Sequence, residues 1–134
     1  MTDREIYDDL AKTISEVTTK RYSTSFSLGI NFFSRDIRQS IYGIYGFVRF
    51  ADEIVDTFFE QDQEKIIIDF GNETLLSIKR MYSSNPILHS FQMVVNNYNI
   101  SIDLIESFLN SMKMDIYQVK HSKNSYNNYI YGSA

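Results

Sequence analysis

Apolar residues recur along this chain at helical spacing almost from end to end. Thr2 followed by Glu5 has the form of a capping box, and Ile6, Leu10, Ile14 and Val17 then share one face of a helix that fades near Thr18 and Thr19. The hydroxyl-rich segment Arg21-Tyr22-Ser23-Thr24-Ser25-Phe26-Ser27 interrupts the pattern and reads by itself as a cap or turn. Ser34 can cap a central helix of about 20 residues and 30 Å, reaching Thr57 or Phe58. A polar break at Glu60 to Gln63 precedes a helix with Ile66, Ile67, Phe70, Leu75, Ile78 and Met81 as its apolar positions. Asn85-Pro86 ends it, and Pro86 opens the next helix, which carries Ile87, Leu88, Phe91, Val94, Val95 and Tyr98. Asn97 to Asn99 marks a turn. Ser101 then caps a helix from Ile102 to about Lys120, with Leu104, Phe108 and Met112 as its apolar stripe and Asp103, Glu106 and Lys113 opposite. Residues 121–128 are polar and turn-like, and Tyr129 begins another apolar helix. No segment alternates as a strand would, so the fold class is all-α.

The central helix holds the most information. Ile41, Ile44, Phe47, Val48, Phe50, Ala51, Ile54 and Val55 surround its whole circumference, the pattern of a helix enclosed in a core. Yet Arg49, Asp52, Glu53 and Asp56 fall within an arc of roughly 100°, with Tyr45 on the same stripe. One arginine cannot neutralise three carboxylates, and an uncompensated buried ion costs several kcal/mol. Asp52 and Asp56 are one turn apart, which suits Mg²⁺, a hard ion that takes one or two protein oxygens and leaves its other positions to water and phosphate. The plainer alternative is a solvated face on an ordinary helix. Asp115 poses a similar choice. It falls in the middle of the last apolar stripe, either as a core acid bonded to a neighbouring helix's amides or as a third contributor to the cation site.

Composition narrows the classes. With 43% hydrophobic residues in 134, the chain makes one folded domain or part of one rather than a disordered tail. Ten Phe and ten Tyr could line an apolar tunnel, although core filling accounts for most such rings. A net charge of −4 with no basic patch argues against a nucleic-acid partner. The absence of cysteine excludes disulfides, zinc-thiolate sites and thiol nucleophiles. No apolar run is long enough to span a bilayer, and the polar N-terminus is unlike a secretory signal, so a cytoplasmic protein is expected, with peripheral membrane contact left open.

Four segments occur together in order: Tyr-Ser-Thr-Ser-Phe-Ser at 22–27, Ile-Tyr-Gly-Phe-Val-Arg-Phe-Ala-Asp-Glu-Ile-Val-Asp at 44–56, Phe-Leu-Asn-Ser-Met-Lys-Met-Asp at 108–115 and Tyr-Ile-Tyr-Gly-Ser-Ala at 129–134. They resemble the squalene/phytoene synthase family of head-to-head prenyl synthases, and look closest to bacterial phytoene synthases. The resemblance implies an all-α isoprenoid synthase bundle around a central cavity. It implies that Asp52 and Asp56 form the first aspartate-rich motif, holding Mg²⁺ against a substrate diphosphate, with Glu53 where many members have a second aspartate. Arg49 would bind the diphosphate and Tyr45 would contact it. Ser23, Ser25 and Phe26 match the flap over the diphosphate, Asp115 the acid of the Met-x-Met-Asp motif, and Tyr129 a tyrosine that steadies carbocations or assists proton transfer.

The implied reaction joins two prenyl diphosphates, two geranylgeranyl diphosphates to phytoene through a cyclopropyl diphosphate, in carotenoid biosynthesis. Squalene or dehydrosqualene formation from farnesyl diphosphate is the alternative, with NADPH needed only for squalene. The family's second aspartate-rich motif has no counterpart after Asp115. Residues 1–134 are therefore expected to be the N-terminal portion of one synthase domain, inactive alone and monomeric when complete. A head-to-tail prenyl synthase or terpene cyclase shares the Mg²⁺-diphosphate logic but carries a different aspartate motif. A non-enzymatic relative sits poorly with intact Asp52, Asp56 and Arg49, and a plain helical interaction module leaves the charged stripe unexplained.

Overall fold

Six helices make up the secondary structure of the described residues: α1 (Asp3–Tyr22), α2 (Thr24–Ile30), α3 (Arg35–Asp56), α4 (Gln63–Arg80), α5 (Pro86–Tyr98) and α6 (Ile102–Ser133). The structure is a computed structural model that describes the backbone of residues 1–57 and 61–133 and the side chains of residues 1–57 and 61–118. Phe58 and Glu60 lie outside the described residues. Helix signals legible in the sequence are used as expected at several ends. Thr2 and Glu5 form a reciprocal capping box. Asn85 accepts from the N–H groups of Ile87 and Leu88 ahead of Pro86 in the first turn of α5. Ser101 Oγ accepts from the Asp103 N–H. Ser34 stands at the N-cap of α3 but its side chain makes no capping bond. Helix α4 stops before Asn85-Pro86, at Met81, whose left-handed backbone (φ 57°) ends the helix and leaves the side chain exposed.

Helix α3 is the spine, packing on α1, α4, α5 and α6. Phe47, Ala51 and Val55 lie one turn apart and form its buried edge. Phe47 stacks on Phe91 with ring centroids 3.9 Å apart and planes 6° from parallel, and also meets Phe70 and Phe108. Around it gather Ile78, Leu88, Val95, Ile105 and Leu109. A second cluster joins Ala51 and Val55 to Ile67 and Ile116. Four of the eight phenylalanines among the described residues thus fill the core. The helix is not enclosed on every side, however: Ile37, Ile44 and Phe50 are exposed, because the neighbouring helices cover only part of its circumference.

Helices α1 and α6 depart further from expectation. In α1 the buried face is Ala11, Ser15 and Thr19, whereas Ile6, Leu10 and Val17 are about half exposed. The helix also continues past Thr19 to Tyr22. The reason is close approach. A Cβ on Gly46 would lie 3.3 Å from Ser15 Oγ, so α1 and α3 meet nearly backbone to backbone and only small side chains fit between them. In α6 the buried stripe is Ile105, Leu109 and Ile116, with Phe108 and Met112 at its edge and Leu104 exposed. The backbone of α6 runs unbroken through 121–128, where a turn was expected. That segment contains neither Gly nor Pro, and Ser or Asn inside a helix costs at most about 0.7 kcal/mol each.

One polar network pins the start of α1 to the α4–α5 connection. His89 is fully buried, and its Nδ1 accepts from the Ser83 N–H at 3.2 Å. The proton therefore resides on Nε2, which donates to Asp8 Oδ1 at 2.6 Å. Arg4 also pairs with Asp8, at 3.0 Å, and donates to the Met81 carbonyl at 2.6 Å. Tyr7 donates to the Ser83 carbonyl and packs its ring against His89. Burial raises the Asp8 carboxyl, but the hydrogen bonds from His89 and Arg4 outweigh it and hold the group below its ordinary 3.8.

Gly43→Ala would place a methyl 2.8 Å from Val94 Cγ2 and 3.3 Å from the Ser90 carbonyl, so it should destabilise by about 1–3 kcal/mol in urea unfolding. Gly29→Ala, which meets nothing within 4 Å, should be neutral or gain about 0.4–1 kcal/mol. Because the folded-state pKa of Asp8 is depressed, its stabilising contribution is present above about pH 4 and is lost as pH falls further. Asp8→Asn should therefore cost about 1–2 kcal/mol at pH 7. It should also remove part of the acid-side loss when melting temperature is followed from pH 5 to pH 3.

Candidate functional site

The last two turns of α3 carry Arg49, Asp52, Glu53 and Asp56 on one side of the helix. Arg49 Nη2 pairs with Glu53 Oε1 at 2.9 Å, with both side chains about one-fifth exposed (22% and 21%). Asp52 and Asp56 are left without an ion pair among the described residues; Asp52 is half-buried and Asp56 exposed. Burial pushes the Asp52 carboxyl above its ordinary 3.8, and Arg49 pulls it back. Asp56, Asp115 and Glu53 then push it further up. The site therefore holds an excess of negative charge at neutral pH.

Asp115 is exposed on α6, so it is not a core acid bonded inside the bundle. It lies close enough to Asp52 to raise its pKa, which places it on the same side of the molecule as the α3 carboxylates. The stripe reading was off by one position: Ile116, its neighbour, takes the buried place.

The segment before α3 folds over this region. Phe26 of α2 stacks on Tyr45 of α3, with centroids 5.1 Å apart and planes at 25°. Ser23 Oγ accepts from the Phe26 N–H at 3.2 Å and caps α2, which leaves its own O–H as a donor. Ser25 is exposed on the same short helix. The Tyr129 side chain lies outside the described residues.

Two residues to which the sequence pattern assigns no individual role join the site. Tyr22, half exposed at the end of α1, lies under Arg49, whose guanidinium carbon is 5.0 Å from the ring centroid. Gln63 is buried at the start of α4 and donates to two carbonyls in the last turn of α3. Neither contact leaves a periodic trace, since each joins different helices.

Arg49 Nε is buried with no hydrogen-bond partner among the described residues. A donor in this state costs about 1–3 kcal/mol, and an anionic oxygen delivered to the site would satisfy it. Beside the Arg49–Glu53 pair opens a cavity of about 250 Å³ lined by Tyr22, Phe50, Glu53, Ile54, Phe70 and Asn85. Asp52 and Asp56 do not line it. A cavity of similar size between α1, α3 and α5, lined by Lys12, Asp36, Gln39 and Ser90 among others, is touched by none of Arg49, Asp52, Glu53 and Asp56.

Among the described residues no three His, Asp or Glu side chains are grouped to hold a metal by themselves. The donor set nonetheless fits Mg²⁺ as a shared ion. Two unpaired carboxylates supply hard oxygens, the local charge is in excess, and Mg²⁺ ordinarily takes one or two carboxylates and completes its shell from phosphate and water.

The model of the squalene/phytoene synthase family matches residues 19–134. The chain belongs to that family. Its members are prenyltransferases of isoprenoid biosynthesis that condense prenyl diphosphates head to head, and the all-α architecture agrees with their isoprenoid synthase fold. No individual curated protein and no solved structure gave a significant match. The matched span includes the hydroxyl-rich segment 22–27, the charged turns of α3 and Asp115, while most of α1 precedes it. Among the described residues no helix is long and apolar enough to cross a membrane.

Asp52→Asn removes a charge that burial and three neighbouring carboxylates disfavour. With a folded-state pKa raised above the unfolded value, the cost of ionised Asp52 is present at neutral pH and absent below about pH 4. The metal-free variant should melt higher than the parent at pH 7, and the difference should close by pH 3.5 in paired thermal melts.

Proposed function

We propose that this chain supplies the first substrate-ionising wall of a head-to-head prenyl synthase. The carrying observation is the pairing, on one short stretch of α3, of an unsatisfied buried arginine donor with two unpaired carboxylates. An anion alone would be repelled by Asp52 and Asp56, and a cation alone would leave Arg49 Nε unsatisfied. A diphosphate carrying a divalent cation meets both needs.

In this reading Asp52 and Asp56 hold Mg²⁺, which when bound neutralises charge developing on the departing diphosphate. Arg49 donates to the leaving oxygens and favours ionisation to an allylic cation. Glu53 keeps the guanidinium oriented through its 2.9 Å pair, and Tyr22 supports it from below. Tyr45 and Phe26, stacked together, shield the diphosphate from water, with Ser23 and Ser25 offering hydroxyl donors from the flap. Asp115 adds to the carboxylate wall from α6, and Tyr129 assists proton removal. Apolar side chains such as Phe50, Ile54 and Phe70 suit a prenyl tail, and the ring faces of the two phenylalanines suit a carbocation.

The product favoured is phytoene, from two geranylgeranyl diphosphates; farnesyl diphosphate would give squalene, with NADPH, or dehydrosqualene. Release of so apolar a product favours peripheral contact with a membrane.

Incubated with radiolabelled geranylgeranyl or farnesyl diphosphate and Mg²⁺, the protein in its complete reading frame should yield a coupled hydrocarbon. Asp52→Asn and Asp56→Asn should each lower turnover at least about 10²-fold while circular dichroism stays unchanged. Full turnover in both variants would end the metal reading, and absence of any coupled product from either substrate would end the synthase reading.

A further inference from the structure

Helix α3 ends in an electrostatically awkward way. Its C-terminus is the negative pole of the helix dipole, yet Asp52, Glu53 and Asp56 stand there and no basic residue occupies the last turn. A helix also leaves its last four carbonyls without intrahelical donors. In α3 the Glu53 carbonyl is taken by the Thr57 N–H at 3.0 Å. The next two are taken by one side chain: Gln63 Nε2 donates to the Ile54 carbonyl at 2.8 Å and to the Val55 carbonyl at 2.9 Å. Gln63 is only 3% exposed, so water does not compete for these bonds.

Both amide hydrogens are thereby committed to the turn that joins Asp52 to Asp56. They bring partial positive charge to the negative pole, and they tie that turn to the first residue of α4. Asp62, just before it, caps α4 by accepting from the Lys65 N–H at 3.3 Å, so the donor is mounted on a fixed helix start. A residue needed only to fill space here could be apolar, since Val55 and Ile67 of the adjoining core are.

We propose that Gln63 is a positioning residue for the cation site: it holds the last turn of α3 in helical register, and so sets the spacing of the Asp52 and Asp56 carboxylates for a divalent ion shared with a diphosphate. The inference rests on the metal reading given above and assigns its support to a residue outside the charged motif. Gln63 touches neither ion nor substrate; it acts through the backbone of Ile54 and Val55.

The test separates this role from mere stability. Inorganic pyrophosphate is titrated into the protein by calorimetry, with and without excess Mg²⁺, for the parent, Gln63→Met and Asp52→Asn. The affinity gained on adding Mg²⁺ is the quantity read, and stoichiometry confines the comparison to folded protein. Gln63→Met keeps the side-chain volume without the donors, and should reduce the Mg²⁺-dependent gain about 10-fold while binding without Mg²⁺ is unchanged. A purely structural glutamine would lower the melting temperature or the stoichiometry and leave the gain intact, which would overturn the proposal. If Gln63→Met fails to fold, Gln63→Glu serves in its place, because its carboxylate faces the same carbonyls without an amide donor. Should Gln63→Met keep the gain while Asp52→Asn loses it, only the positioning role fails. Should Asp52→Asn keep it too, the metal reading fails and this inference with it.

Discussion

Helix α3 is asked to do two incompatible things along one short stretch. Phe47, Ala51 and Val55 bury one edge of it at the centre of the bundle, while Arg49, Asp52, Glu53 and Asp56 bring four charges to the adjacent side. A helix cannot separate these demands, because the buried edge and the charged edge share the same turns and the same backbone. Everything near the site can be read as accommodation. The Arg49–Glu53 pair neutralises one acid, Tyr22 supports the guanidinium, and Gln63 satisfies carbonyls that three nearby carboxylates make more costly. What is left over is one buried arginine donor and a local excess of negative charge. Residual polarity of this kind is expected where a structure is arranged for a ligand rather than for itself.

The two ends of α1 differ in the same spirit. Near its start, Asp8, His89, Arg4 and Tyr7 form a network in which the buried imidazole has both nitrogens engaged and its tautomer decided by the Ser83 N–H. At its far end, Tyr22 and then the seven-residue α2 are laid over α3 by a stacked pair of rings and a single serine cap. The first arrangement locks the helix to the bundle. The second leaves a short, partly exposed element held to α3 by the Phe26–Tyr45 ring pair.

Much of the fold was legible from the residues alone. Caps and breakers act through bonds within one segment, so Thr2 with Glu5, Asn85 with Pro86 and the charged stripe of α3 could be read without knowing what any helix touches. The family is legible for a related reason: the quoted segments are short contiguous runs of side chains, and the family match covers residues 19–134. Which face of a helix is buried is a different kind of question. In α1 the largest apolar residues pointed to the wrong face, because Gly46 lets α1 approach so closely that Ala11, Ser15 and Thr19 are what fit. In α6 the expected stripe of Leu104, Phe108 and Met112 proved to run through Ile105, Leu109 and Ile116, with Phe108 and Met112 at its edge.

The local chain thus determined most of the helices, several of their capped ends, the all-α class and the presence of a charged patch on an apolar helix, since those depend on interactions only a few residues long. Only the tertiary structure could decide that Tyr22 supports Arg49, that Gln63 closes α3, and that Asp115 stands near Asp52 rather than inside the core. Each of those facts joins segments far apart in sequence. Such contacts follow from how closely two helix backbones can approach and from which carbonyls and charges then lack a partner, and neither quantity exists until the helices are packed.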